Sequence, residues 1–226
     1  MATEKELAEI FGPIQERLPG WQYRRGWLFR QPIGYYLRGL ALNRSWSDRR
    51  VARLQHCVYP LYESEQGIHT SWGESNPIPG TTNHGWNVFH PDFAPKLMEL
   101  MDAVIIPATA HIEKGSDFLG YLGEHRIFSG WPDWGRALAY VHMGDLAKAR
   151  AVLIPLAETI RSQFPHLGTP GKWGHDLLEL LRLIEHDPDA IPARCEAIAR
   201  KGLRVRKLEK FWVPTPFVYD NARGDA

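Results

Sequence analysis

Residues 69–92 gather most of the side chains in this sequence that could do chemistry. The segment holds His69, Trp72, Glu74, Asn76, Asn83, His84, Trp86, Asn87, His90 and Asp92. Histidines beside carboxylates could bind Zn²⁺ or transfer protons. Aromatic and polar side chains on one loop are also typical of a binding surface.

The spacing in this segment matches no metal motif, so we expect no metal and no cofactor. Two interpretations stay open. The residues could make turns and local hydrogen bonds to an irregular backbone, or they could form a binding surface. For the second interpretation the candidate binding residues are His69, Trp72, His84, Trp86, His90 and Asp92.

A second candidate lies in the basic stretch from Arg194 to Lys210, which contains seven basic residues and only two acidic ones, Glu196 and Glu209. Such a stretch could be a solvated helix face, because cations are favoured near a helix C-terminus. It could also dock an acidic protein or contact phosphates, with an aromatic ring stacked on a base. The candidate binding residues here are Arg200, Arg204, Lys207 and Trp212.

No motif in the chain specifies a reaction. His111 and Glu113 have only a superficial likeness to a zinc-protease pattern, and position 115 is Gly, where the second His is required. Glycine-rich phosphate loops and the Gly-x-Ser-x-Gly nucleophile turn are also missing. Cys57 and Cys195 form no Cys-x-x-Cys pair, and we expect Cys57 to be a buried structural thiol.

Composition excludes some classes of partner and location. The 226 residues carry a formal net charge of +1, so no global field recruits nucleic acid or a membrane. The N-terminus lacks the basic and apolar regions of a signal peptide, and no apolar run reaches the ~20 residues of a transmembrane helix. We therefore expect a cytoplasmic protein with two free thiols.

The pattern of the chain changes near residue 93. Before it, capping-box spacing predicts a helix over 3–18, and alternating residues predict strands over 22–30, 35–43 and 52–62, with a short fourth strand around 68–72. After it, helical periodicity predicts helices over 134–143, 146–160, 172–185 and 188–209.

The predicted fold class is α+β. An N-terminal helix and a small antiparallel sheet of three or four strands pack with a C-terminal helical bundle. The expected domains are 1–93, a helix plus β-meander with a long loop, and 94–226, a helical region with an extended tail. One continuous domain is the alternative.

Residues 134–160 contain Leu138-Ala139-Tyr140, Gly144-Asp145, Ala147 and Ala149. With this pattern the segment resembles a single tetratricopeptide-type helical hairpin, in which small residues let two helices approach. No second copy follows at the ~34-residue period of such repeats. The resemblance therefore implies one hairpin and no repeat array.

After an amphipathic helix, the first ~60 residues contain Gly20, Trp21, Gly26, Phe29 and Arg30. In this pattern they are similar to uncharacterised bacterial domains of the toxin-immunity type. The resemblance brings no catalytic residue.

Three functions stay open on these grounds. The first is a non-catalytic bacterial protein-binding factor, immunity or defence-associated. Its partner is another protein, and an acidic protein is one option. The second is a hydrolytic enzyme that uses the His69–Asp92 loop. The third is a nucleic-acid-associated factor that uses the basic C-terminal helix.

Overall fold

The computed structural model describes residues 3–45, 47–63, 68, 72–125, 132–163, 172–213 and 217. It has an N-terminal helix, an antiparallel sheet and several C-terminal helices, which confirms the predicted α+β class. None of the described helices combines the length and apolar character that crossing a bilayer demands.

Chain contacts divide the described residues into two units. Unit 1 takes those of Met1–Tyr59 and His69–Ile112, and unit 2 takes those of Pro60–Ile68, Glu113–His125 and Ser129–Ala226.

Unit 1 begins with helix α1 (Glu4–Glu16), whose start is fixed by the predicted capping box. The Thr3 hydroxyl accepts a hydrogen bond from the Glu6 N–H at 3.1 Å, and the Glu6 carboxylate accepts one from the Thr3 N–H at 2.7 Å. Two N–H groups that the helix itself cannot satisfy are thereby paired.

The sheet of unit 1 runs in the order β1 (Trp21–Arg24), β2 (Trp27–Arg30), β3 (Tyr36–Arg44), β4 (Val51–Pro60) and β5 (Gly73–Asn76). A short strand β6 (Trp86–Asn87) also pairs with β4. β5 pairs with Leu54–Cys57 and β6 with Val51–Ala52, so the two short strands follow one edge of β4. The strand expected around 68–72 is found at Gly73–Asn76, and residues 69–71 lie outside the described residues.

The single strand expected over 22–30 is wrong, because the chain reverses in its middle. Arg25 and Gly26 have φ values of 48° and 78°, and Arg24 pairs with Trp27. Two consecutive residues with positive φ make the tight turn that suits a two-residue hairpin. The Glu4 carboxylate accepts a hydrogen bond from the Arg25 N–H at 2.6 Å, which holds this turn against α1.

The core of unit 1 lies between the sheet and two helices. Phe11 of α1 stacks on Tyr23 with ring centroids 4.5 Å apart, and it meets Phe93 edge-on at 5.8 Å. Phe93 begins α2 (Phe93–Leu100), whose Leu97 is also buried in this core. The core therefore fixes the first turn of α2 beside the sheet.

A π-helical segment, Met101–Ile105, joins α2 to α3 (Ile106–Thr109). The Ile106 N–H donates to the Met101 carbonyl, five residues back. Pro107 follows at once, and a proline ring has no N–H and clashes with the carbonyl of a regular preceding turn. The wider turn lets the helix continue through Pro107.

Unit 2 contains α4 (Gly115–Glu124), α5 (Pro132–His142), α6 (Leu146–Gln163), α7 (Lys172–His186) and α8 (Ile191–Arg206), and each contacts the next. Short 3₁₀ turns occupy Pro188–Ala190 and Glu209–Phe211. The predicted hairpin between α5 and α6 is present. Gly144 has a φ of 77° after α5, and the Asp145 carboxylate accepts from the Lys148 N–H at 3.1 Å, which is N-cap geometry.

Candidate functional site

A cleft of about 240 Å³ lies within unit 1, where β6 leads into α2. Its lining consists of Ile78, Asn83, Gly85, Trp86, Asn87, His90, Asp92, Phe93 and Lys96. Three of the candidate binding residues of the sequence analysis, Trp86, His90 and Asp92, are among them.

Two aromatic rings form the apolar wall of the cleft. Trp86 is 2% exposed and Phe93 is 4% exposed, and their rings meet edge-on with centroids 5.9 Å apart. The Trp86 indole N–H donates to the Asn76 carbonyl at 3.0 Å, so the ring is fixed to β5. An aromatic wall fixed in this way is largely pre-formed.

Two asparagines supply polar groups to the lining. The Asn83 Oδ1 accepts from the Gly85 N–H at 2.8 Å, and the Asn87 Oδ1 accepts from the Phe89 N–H at 3.1 Å. These bonds are the local turns expected of asparagine in a loop. Because both Oδ1 atoms are used, the NH₂ groups are the ones that remain to donate to a ligand.

His90 and Asp92 lie together, with 3.8 Å between His90 Nδ1 and Asp92 Oδ2, and both are exposed. The His90 Nδ1 accepts from the Asp92 N–H at 3.1 Å. The neutral ring therefore carries its proton on Nε2. In a nucleophilic triad the carboxylate instead accepts a proton held on Nδ1, so this pair has the wrong tautomer for that role.

Two other predicted loop residues, Trp72 and His84, do not line the cleft. His84 is exposed, and its Nδ1 lies 3.0 Å from the Ser75 hydroxyl. Trp72 is buried before β5, and its carbonyl accepts from the Val58 N–H. His69 lies outside the described residues.

The predicted basic stretch forms α8 in unit 2, and much of its charge is paired. Arg200 forms an ion pair with Glu196 at 2.6 Å and stacks over the Trp212 ring at 4.6 Å. Arg204 lies 3.3 Å from a Glu209 carboxylate oxygen.

Two other cations at this end of α8 are in different situations. Arg206 donates a hydrogen bond to the Ile68 carbonyl. Lys207 is exposed where the helix ends, with a left-handed φ of 55°. Trp212 is buried under Arg200 and is not available for stacking on an incoming base.

The two cysteines are excluded as nucleophiles by burial. Both are buried free thiols, as expected for Cys57. Burial raises the pKa of Cys57 and raises the pKa of Cys195 to about 12. The reactive thiolate is therefore a minor form near neutral pH.

Sequence reasoning missed a buried polar group that is formed by β4 and β5. His56 lies opposite Glu74 and Leu54 opposite Asn76 in the strand register. The His56 Nδ1 is 2.9 Å from Asn76 Oδ1. The sequence signal was a histidine inside an apolar strand, but its neighbours are about 20 positions away in the chain and only the register brings them together.

A buried arginine lies elsewhere in unit 1. Arg38 donates to the carbonyls of Ala110 and Ile112 at 3.1 and 2.7 Å. It supports the end of α3 and is not in the lining of the cleft.

Comparison with known proteins adds no relative. No protein-family model matches the chain, and neither the curated proteins nor the solved structures yield a significant match.

Proposed function

We propose that the protein is a non-catalytic bacterial protein-binding factor of the immunity or defence-associated type. Its cleft in unit 1 holds one large side chain of the partner protein. The observation that carries this proposal is the wall of Trp86 and Phe93 surrounded by polar groups of Asn83, Asn87 and Lys96.

The size of the cleft supports a side chain as the occupant. Cavities of roughly 150 Å³ hold benzene, so a cleft of about 240 Å³ accommodates an aromatic or long aliphatic group. Phe89 lies between the lining residues Asn87 and His90 in the chain and is 40% exposed. Aromatic anchors in pockets, with apolar groups beside them, carry much of the free energy of protein association.

The polar groups of the lining favour an acidic neighbour on the partner. The His90 Nε2–H, the two asparagine NH₂ groups and the Lys96 ammonium are donors, and the Asp92 carboxylate is an acceptor. A carboxylate next to the anchoring side chain would be met by these donors. We place this interaction in the cytoplasm, where buried free thiols such as Cys57 and Cys195 stay reduced.

The chemistry of the lining supports binding over catalysis. The His90–Asp92 pair holds the tautomer that a triad does not use. Both thiols lie outside the lining and are buried.

The test is to fill the cleft and follow the partner. Asn87→Trp adds bulk to the lining, whereas Glu9→Trp adds the same bulk on the exposed side of α1. Partners isolated with the wild-type protein from the source cells are quantified by mass spectrometry, and affinities are then measured with the purified pair. We expect Asn87→Trp to weaken binding at least ~10-fold, the effect of losing a hot spot of about 1.4 kcal/mol or more.

Glu9→Trp is expected to bind like the wild-type protein. Circular dichroism confirms that both variants are folded. Equal partner affinity in wild type and Asn87→Trp contradicts the proposal.

One observation favours the hydrolytic enzyme as a second candidate. The Ser75 hydroxyl and His84 Nδ1 are 3.0 Å apart, the distance of a nucleophile from its base. No third group is hydrogen-bonded to His84 within the described residues, so the orienting member of a triad is missing there.

Fluorophosphonate labelling separates the two candidates. Labelling of the wild-type protein that is lost in Ser75→Ala supports the hydrolytic enzyme and contradicts the non-catalytic proposal. Absence of labelling, with a serine hydrolase as positive control, removes the second candidate.

A further inference from the structure

His56 and Glu74 together have the composition of a metal site. The two residues lie directly opposite each other on β4 and β5. A ring nitrogen of His56 and a carboxylate oxygen of Glu74 are within 4.8 Å of each other. His56 is 2% exposed, whereas Glu74 is half-buried, so the pair can be reached from the Glu74 side.

Asn76 fixes the tautomer of the neutral His56 ring. The Asn76 NH₂ group donates to the Leu54 carbonyl at 3.4 Å and to the Glu74 carbonyl at 3.2 Å. Its Oδ1 is therefore the atom that faces His56 Nδ1 at 2.9 Å, and it must accept a proton from Nδ1. The neutral ring then has its lone pair on Nε2.

This arrangement is the one that metal-ligating histidines use. They usually donate the second ring N–H to a protein oxygen, which fixes the ring and raises its basicity. A lone pair on Nε2 and a carboxylate oxygen are both electron-rich, and a cation between them is favoured in a buried environment. Two strands joined by hydrogen bonds hold both ligands on a rigid frame.

The distances are compatible with zinc. Ligands at about 2.0–2.2 Å around a tetrahedral ion are ~3.3 Å apart, and the His56 ring nitrogen and the Glu74 oxygen lie within 4.8 Å of each other. An imidazole with a carboxylate suits zinc and related transition metals better than Mg²⁺, which prefers oxygen ligands alone.

We propose that unit 1 binds one divalent transition-metal ion of the zinc class, with His56 Nε2 and the Glu74 carboxylate as ligands and Asn76 as the residue that positions His56. Water or an oxygen of a bound molecule fills the positions that remain open. Neither residue lines the cleft, so the test of this site does not depend on the partner proposed above.

The test uses the untagged full chain, stripped with EDTA and then given zinc alone. Zinc per chain is measured by elemental mass spectrometry after gel filtration, and affinity is measured by competition with a chromogenic chelator. We expect one zinc per chain in the wild-type protein and at least ~10-fold weaker binding in Glu74→Gln, which keeps the shape but removes the charged ligand.

Two exposed histidines provide matched controls. His84→Gln and His90→Gln are expected to bind zinc like the wild-type protein, because neither residue belongs to the pair. His56→Gln is expected to abolish binding. If His56→Gln fails to fold, the zinc affinity of Glu74→Gln alone tests the proposal.

Three results of the zinc-binding measurements would overturn the proposal. They are no stoichiometric zinc in the wild-type protein, unchanged affinity in a folded Glu74→Gln, and loss of binding in His84→Gln or His90→Gln. X-ray absorption of the loaded protein is expected to show a nitrogen ligand at about 2.0–2.1 Å, and a shell of oxygen alone contradicts the role of His56.

Discussion

At the scale of single residues, one hydrogen bond decides what each histidine can do. His90 accepts on Nδ1 from the Asp92 N–H, so it keeps its proton on Nε2 and can donate to a ligand. His56 donates from Nδ1 to Asn76 and keeps its lone pair on Nε2. Nε2 is therefore a hydrogen-bond donor in His90 and an acceptor or metal ligand in His56.

Asp145 is a single residue whose contribution to stability can be measured. Its carboxylate accepts from the Lys148 N–H at 3.1 Å and from the Lys148 ammonium at 2.6 Å, and so it caps α6. We expect Asp145→Ala to lower the free energy of unfolding by about 1 kcal/mol, the usual value of an N-cap. Urea denaturation followed by circular dichroism measures the change.

The effect of Asp145→Ala should also depend on pH. Hydrogen bonds from Lys148 lower the pKa of Asp145 from its ordinary 3.8. A lowered folded-state pKa stabilises the folded state at pH values above the ordinary pKa, and that contribution is lost as the pH falls through the lowered pKa.

Asp145→Asn, which retains a capping oxygen, is the control. A loss as large in Asp145→Asn as in Asp145→Ala would show that capping is not the cause.

At the scale of elements, the close approach of α4 to α5 requires a residue without a side chain at Gly115. A Cβ added to Gly115 would lie 2.6 Å from the Ala139 carbonyl oxygen and 2.9 Å from Met143 Cγ. A backbone oxygen cannot move aside easily, so the two helices would have to separate.

We expect Gly115→Ala to destabilise unit 2 by about 1–3 kcal/mol, the cost of overpacking a well-packed contact. Gly120 lies on the same helix with nothing within 4 Å of an added Cβ. Gly120→Ala is therefore expected to stabilise by up to ~1 kcal/mol through helix propensity. Denaturant unfolding of both variants gives the comparison, and destabilisation of equal size would contradict the close-contact explanation.

Elements with local signals were predictable, and elements made by register were not. The capping box of α1 and the Gly144-Asp145 junction of α5 and α6 are short-range chemistry, and both are present. The reversal at Arg25-Gly26 was missed because alternation of apolar residues continues across the turn. β6 is two residues long and has no pattern of its own.

The candidate site divides in the same way. Trp86, His90 and Asp92 are close in sequence, so they could be predicted as members of one site. Phe93 and Lys96 join the cleft because α2 starts at its edge. His56 and Glu74 become neighbours only through the β4–β5 register, which hydrophobic periodicity does not encode.

At the scale of the whole molecule, the balance of charge argues against nucleic acid as the partner. The formal net charge is +1, and Arg200 and Arg204 on α8 have carboxylate partners. Few counterions would be released from DNA by such a surface.

We therefore expect no saturable binding of a labelled duplex below ~100 μM protein at physiological salt, the weak limit of non-specific binding. The double variant Glu196→Gln with Glu209→Gln frees two arginines, and it should bind more tightly with a salt slope steeper by about 2. Fluorescence anisotropy across salt concentrations measures both. Tight wild-type binding that Arg204→Glu with Lys207→Glu removes would instead support the nucleic-acid function.

The hydrogen bond from Trp86 to Asn76 has a consequence for how the two proposed sites would communicate. Trp86 forms the wall of the cleft, and Asn76 holds the His56 ring, so one residue pair touches both. If an occupant of the cleft changes the affinity for zinc by some factor, zinc must change the affinity for that occupant by the same factor. The metal would then act as an effector of partner recognition, and metal supply would set how strongly the partner is held.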